Sequence, residues 1–273
     1  MDLTFETVYE KSHEVFADHT IDLKHVGWFD PWTMGLICLK GVEFKDNADK
    51  RIVLPQDKKM LAYLKRMHFD HFFGELTYAS FLSALKLLEI NERDNDGLCE
   101  IVHCEFRDAF EARLASKVRR VFRHFGLGEL DEALATSLVG ELGNNVFDHN
   151  DGSWPTSVRG AIILAQHNPA LRRIEVAVAD PGIGFRGSLR AHDPTVSSDV
   201  EAIKLGLSGV TGRIGETRGN GLQVIQNWTI NKFDGIIRIQ SGNGLVIVDG
   251  KGQQSKEVFP ITGTLASLVL IYK

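Results

Sequence analysis

The chain has 273 residues, 43% of them hydrophobic, which is enough to bury a core in one large or two ordinary domains. Its formal net charge of -5 argues against a broad nucleic-acid footprint, and the one concentrated basic run, Lys117, Arg119, Arg120 and Arg123, fits the solvated flank of a helix. Three cysteines are too few and too badly spaced for a disulfide framework or a zinc site; with acids near Met1 and no run approaching roughly 18 apolar residues, the expectation is a cytoplasmic chain with no membrane span.

The first third alternates strand and helix signals. Residues 20–28 read as a strand ending at Asp30-Pro31, where Asp30 can cap a helix and Pro31 can occupy its first turn. Trp32, Leu36, Ile37 and Leu39 give that helix an apolar face over about ten residues. A short strand at Arg51–Leu54 stops at Pro55, and Met60, Leu61, Leu64 and Met67 then recur at helical spacing up to Phe69, Phe72 and Phe73. Within this helix His68 and His71 have a spacing that could serve a metal, but no third ligand is arranged with them. Residues 84–90 and 98–106 read as two strands joined by a turn-rich segment.

From about residue 108 a long helix is expected through Phe125, a Gly-Leu-Gly break at 126–128, and a second helix from Asp131 to Asp148. Strands follow at 160–166 and 173–179, then Asp180-Pro-Gly182-Ile-Gly184, then Arg218-Gly219-Asn-Gly221-Leu222 opening a helix to about Trp228. A strand at 235–240 and a last strand after Gly263-Thr264 close the chain.

Three of these segments carry chemistry. Glu141, Asn145 and His149 recur every four residues on one flank of a helix, an arrangement that can hold a divalent cation and a water but is equally that of a solvated helix face. Asp180 with its glycines is either a tight turn or an adenine reader: a buried carboxylate accepting from the exocyclic amine would reject guanine, whose carbonyl leaves the acceptor unpaired. Gly219 to Leu222, before an apolar-periodic helix, is either a helix-entry turn or a phosphate site made of backbone amides.

The order of these motifs over residues 108–273 resembles the GHKL superfamily of ATP-binding domains, which includes gyrase, heat-shock chaperones, histidine kinases and mismatch-repair ATPases. In that resemblance Glu141 to His149 corresponds to the N box, Asp180 to Gly184 and Gly219 to Leu222 to the two glycine boxes, and Gly263-Thr264 to the last box. It implies ATP and Mg²⁺ as ligands, with Glu141 the base that activates an attacking hydroxyl or water and Asn145 the metal-binding amide, in preference to Asn144. It implies further that Asp180 binds adenine, that Gly182, Gly184 and Thr264 shape that pocket, and that Gly219, Gly221 and Leu222 border a lid; for its Arg213 and Arg218, phosphate contact and a merely solvated position both stay open. For His149 packing and phosphate contact both stay open. Pro181 stands where many relatives have asparagine, which removes a backbone donor but keeps the turn.

The segment His25-Val-Gly-Trp-Phe-Asp30-Pro-Trp-Thr33-Met-Gly35, with the strand to Pro55 and the helix Leu61, Leu64, Met67, resembles a STAS domain of the anti-anti-sigma type. Such domains offer a serine at this helix start; here the nearest hydroxyl is Thr33, so a non-phosphorylatable docking domain is expected. The fold class expected is therefore α/β: a STAS-like domain over 1–80, a boundary region over 81–107, and a Bergerat-type sandwich over 108–273 whose mixed sheet carries helices on one face. The corresponding function is an ATP-binding regulatory protein with slow Mg²⁺-dependent ATPase activity, acting as a nucleotide-gated switch on a STAS-like or other regulatory partner. A protein serine kinase of the anti-sigma-factor type and a nucleotide-binding module without turnover are the alternatives; His124 lacks the dimerisation-helix context of a histidine kinase. A homodimer is a further expectation from the family, although no heptad seam requires one.

Overall fold

Asp30 starts the helix that organises the amino-terminal third. In the computed structural model, which describes residues 1–89, 97–124, 126–150, 153–190, 193–210 and 220–272, its carboxylate accepts from the Thr33 amide at 2.8 Å, and Pro31 occupies the first turn. The helix that follows, α2 (Pro31–Phe44), is longer than the ten residues its apolar face suggests, and every residue in it except Glu43 is buried. A helix apolar all round belongs inside a structure, so its periodicity is weak and its length hard to read.

Around α2 lie β1 (Asp2–Leu3), α1 (Phe5–Val15), β2 (Thr20–Asp22), β3 (Trp28–Phe29) and β4 (Arg51–Val53). They form two small parallel pairs, β1 with β3 and β2 with β4, so the single strand expected over 20–28 is two short ones in different pairs. Helices α3 (Lys58–Arg66) and α4 (Phe69–Glu75) follow, α3 capped by Asp57, which accepts from the Lys59 and Met60 amides. His68 falls between them and pairs at 4.0 Å with Glu100. The strand expected over 84–90 is instead a short helix, α5 (Ser83–Lys86), in keeping with the helix-forming Ala, Leu and Lys there; the turn expected at 91–97 lies almost wholly outside the described residues.

The main sheet is built from β5 (Leu98–Cys104), β6 (Ala161–Asn168), β7 (Arg173–Asp180), β8 (Ile236–Asp249) and β9 (Gly252–Ile271) in the order β5-β6-β7-β9-β8. Every pairing in it is antiparallel, which corrects the expected mixed sheet. The two carboxy-terminal strands form one long hairpin, whose 14 and 20 residues extend well beyond the expected segments. Register shifts near Ser241 and Gly242 break its alternation and hide that continuity in the sequence.

Helices cover both faces, not one. Alternation sends Ile162, Leu164, Ala177, Ala179 and Leu265 into the core that contains α2, and Ile163, Val176, Val178, Ile239 and Ala266 into the opposite core. The second core is closed by α6 (Arg107–Arg113), α7 (Arg119–His124), α8 (Glu129–Asn150) and α11 (Gly221–Phe233), while α9 (Gly184–Arg190) and α10 (Asp199–Leu207) pack at the hairpin. A π-helical turn at Leu114–Val118 interrupts the helix expected over 108–125. Lys117, from the basic run, pairs with the buried Glu100, and the partly exposed Arg119 and exposed Arg123 reach Glu132, so three of its four cations have carboxylate partners within the chain while Arg123 stays on a solvated flank.

On the α2 face a buried polar tie joins the amino-terminal helix to the sheet. Arg238 of β8 donates to Glu175 of β7 at 3.0 Å, lies 3.6 Å from Glu6 of α1, and stacks its guanidinium 4.0 Å from the Phe5 ring centre. Beside it Tyr9 donates to Gln240 at 2.8 Å and accepts from the Trp32 indole at 3.1 Å. All three cysteines are buried and form no disulfide, and among the described residues no helix is long and apolar enough to cross a membrane.

Candidate functional site

The antiparallel register of β7 and β9 sets Asp180 directly opposite Thr264, so two residues 84 positions apart meet where the first of these strands ends and the other emerges from its bulge. Helix α8 crosses this sheet end and brings its last three turns alongside. Together they enclose a cavity lined by Asn145, His149, Asn150, Asp180, Gly184, Gly221, Leu222 and Thr264, with apolar walls from Leu142, Val146, Val178, Phe185, Leu189, Ile239 and Ala266.

The sequence-predicted residues divide as follows. Asn145, Asp180, Gly184, Gly221, Leu222 and Thr264 line the one cavity. Glu141 stands one helical turn before Asn145, half-buried, with its Oε2 3.1 Å from where a Cβ on Gly221 would sit, so the start of α11 closes on this carboxylate. Asn144 points elsewhere and accepts from Arg107 at 2.9 Å. Gly182 lies behind the cavity wall against Asn150. Arg213, Arg218 and Gly219 lie outside the described residues. His149 lines the cavity, its Nδ1 3.0 Å from Ser188 Oγ.

The glycines are required by their neighbours. Gly184 has φ +71° and leaves room for the Ser241 hydroxyl, which would be 2.5 Å from a Cβ; Gly263, at φ +86°, packs on the backbone of Asp180 and Gly182. Ser241 accepts from the Phe185 amide at 2.9 Å and donates to the Gly263 carbonyl at 3.2 Å, tying the loop after β7 to the start of the last strand segment.

Asn150, the final residue of α8, is like Ser241 a site residue that none of the sequence motifs includes. Its Nδ2 donates to the Val146 carbonyl at 2.8 Å and to Asp180 Oδ1 at 2.9 Å, while its Oδ1 accepts from the Ile183 amide at 2.9 Å. Two acceptors on one side and a donor on the other fix which way this amide points. Asp180 Oδ1 also accepts from the Gly182 amide at 2.9 Å, and Oδ2 has no protein donor among the described residues. Burial pushes the Asp180 carboxyl up to about 7, against the lowering effect of the Gly182 and Asn150 hydrogen bonds.

Chemically, the cavity offers a slot with apolar walls, an Asp180 oxygen with no protein donor among the described residues, and the Asn145 amide; Glu141 does not line it but stands one turn further along α8, beside the amino-terminal turn of α11. Comparison of the sequence with protein-family models and with curated proteins returns no match.

Proposed function

We propose that the chain is an ATP-binding regulatory protein in which this cavity holds the nucleotide and Glu141 supports slow Mg²⁺-dependent hydrolysis. The observation that carries the reading is the meeting of Asp180, Asn145, Gly221 and Thr264 in one cavity, from segments far apart in the chain. Apolar walls suit a planar base, and Asp180 Oδ2 suits its exocyclic amine. Mg²⁺ keeps several waters and takes only one or two protein oxygens beside substrate phosphates, so the Asn145 amide fits it without any larger cluster of acidic, His or Cys ligands, which the described residues lack. Bound there, the metal would neutralise phosphate charge. Asn145 would hold and orient it, and Glu141, a turn away, would orient a water and take its proton.

The amino-terminal third is, in this reading, a built-in regulatory element. Thr33, the nearest hydroxyl to a STAS-type acceptor position, is fully buried, which supports docking without phosphorylation. Its α2 helix packs on the strands that carry Asp180 and Thr264, with Gly35 close enough that a Cβ would lie 2.6 Å from Leu265. That contact gives the element a route to sense the nucleotide.

Incubation with γ-labelled ATP and Mg²⁺ tests the reading: free phosphate with no labelled protein is the expected result, whereas label on a partner protein would make the chain a protein kinase. Glu141→Ala is expected to keep ADP binding and lose turnover by about a hundredfold or more. Unchanged turnover in that variant refutes the role of Glu141.

A further inference from the structure

Asp180 carries two oxygens with different surroundings. Oδ1 takes two protein donors, the Gly182 amide and the Asn150 side-chain amide, each at 2.9 Å. Oδ2 takes none among the described residues, in a side chain that lines the cavity. Asn150 is itself held from two further sides, by the Val146 carbonyl and the Ile183 amide, so it cannot turn its oxygen toward Asp180 without breaking both contacts.

We infer that Asn150 is a specificity-determining positioning residue: with the Gly182 amide it forces an acceptor at the Oδ1 position and thereby decides the hydrogen-bonding polarity of the atom that faces the base. The inference rests on the nucleotide reading above. It gives Asn150 a role separate from packing, because the same two donors act on whatever side chain stands at position 180.

A consequence follows for Asp180→Asn. The two donors hold the new amide oxygen at the Oδ1 position and turn its NH₂ toward the ligand. A carboxylate oxygen accepts from an amine on the six-position of a purine; the NH₂ donates to a carbonyl there and opposes an amine. The variant should therefore exchange a preference for a 6-amino purine for a preference for a 6-oxo purine. Asn150→Asp added to it removes the donor at position 150. The new carboxylate can only accept, draws the position-180 NH₂ to itself and returns a carbonyl oxygen to the base, at the expense of the Gly182 amide.

The test is calorimetric titration of the full chain and its variants with ADP and with IDP, which differ at the six-position in this respect. Wild type is expected to bind ADP roughly tenfold or more tightly than IDP, Asp180→Asn to reverse the order, and Asn150→Asp/Asp180→Asn to restore the ADP preference with weaker affinity overall. Asn150→Asp alone keeps the acceptor for Ile183 and is expected to weaken ADP about tenfold. Loss of packing alone would weaken both nucleotides together and would not reverse their order. The inference is overturned if folded Asp180→Asn still prefers ADP, binds the two equally or binds neither. It is also overturned if the double variant keeps the IDP preference, or if Asn150→Asp binds ADP like wild type, a result that stands even where Asp180→Asn does not fold. Wild type that binds neither nucleotide removes the nucleotide reading and this inference with it; wild type that prefers ADP, followed by any of the other outcomes, removes this inference alone.

Discussion

Gly182→Ala tests the clamp behind the cavity wall by packing alone, because Gly182 has no positive φ and the substitution adds no backbone strain. An added Cβ would fall far inside contact distance of the amide atoms of Asn150, and no other atom is as close. Relief requires the Asn150 side chain to swing away. That gives up its hydrogen bonds to Val146, Asp180 and the Ile183 amide, each worth about 1 kcal/mol net, in addition to about 1–3 kcal/mol for overpacking. The sum is about 4–6 kcal/mol, a large share of the stability of an ordinary domain. Urea unfolding, monitored by tryptophan fluorescence, should show it as a lower midpoint with an unchanged slope. Because the clash is with Asn150, Asn150→Ala should relieve it, and the double variant should recover about 1–3 kcal/mol relative to the sum of the single changes. Additive costs, or a Gly182→Ala change below about 1 kcal/mol, would refute the reasoning.

Two other perturbations read different parts of the structure. The Asp180 carboxyl, raised by burial to about 7 from an unfolded value of 3.8, contributes stability that is fully present below pH 3.8 and lost as pH rises through about 7. An amine ligand favours the ionised form, so adenosine, which has no phosphate to titrate, should bind more tightly at pH 8 than at pH 6 and release protons at the lower pH; equal affinity across that window contradicts the assignment of Asp180 as the contact. Arg238→Met removes the nearer of the two cations beside the buried Glu175, leaving Arg173 at 4.0 Å, and also removes the stack on Phe5, so a loss of about 1.5–3 kcal/mol is expected in chemical unfolding, with earlier proteolysis in the α1 segment as the local sign.

The residues that line the cavity were legible because glycine boxes are short local signals with a backbone cause: Gly184 and Gly263 need positive φ, Asp180 ends β7, and Thr264 follows the bulge inside β9. The pairing of Asp180 with Thr264 is a register between distant strands, which no local pattern encodes. Asn150 was missed for a related reason. The expected helix stopped at Asp148, and the role of Asn150 comes from contacts with a loop more than 30 residues later. Ser241 is similarly hidden in a bulged strand whose broken alternation also concealed the length of the hairpin. On the other face α2 was found by its cap and its proline, but its burial against the sheet was not, since a helix surrounded by protein shows no polar stripe to orient it. The parallel or antiparallel sense of the sheet was likewise set by long-range pairing, and the mixed arrangement expected for it gave way to five antiparallel strands.

The most direct measurement is calorimetric titration of the chain with ADP in the presence of Mg²⁺, alongside Asp180→Ala. The account predicts saturable binding at one site per chain for wild type and its loss in the variant. No binding by wild type, or equal binding by both, would contradict the claim that this cavity reads an adenine nucleotide.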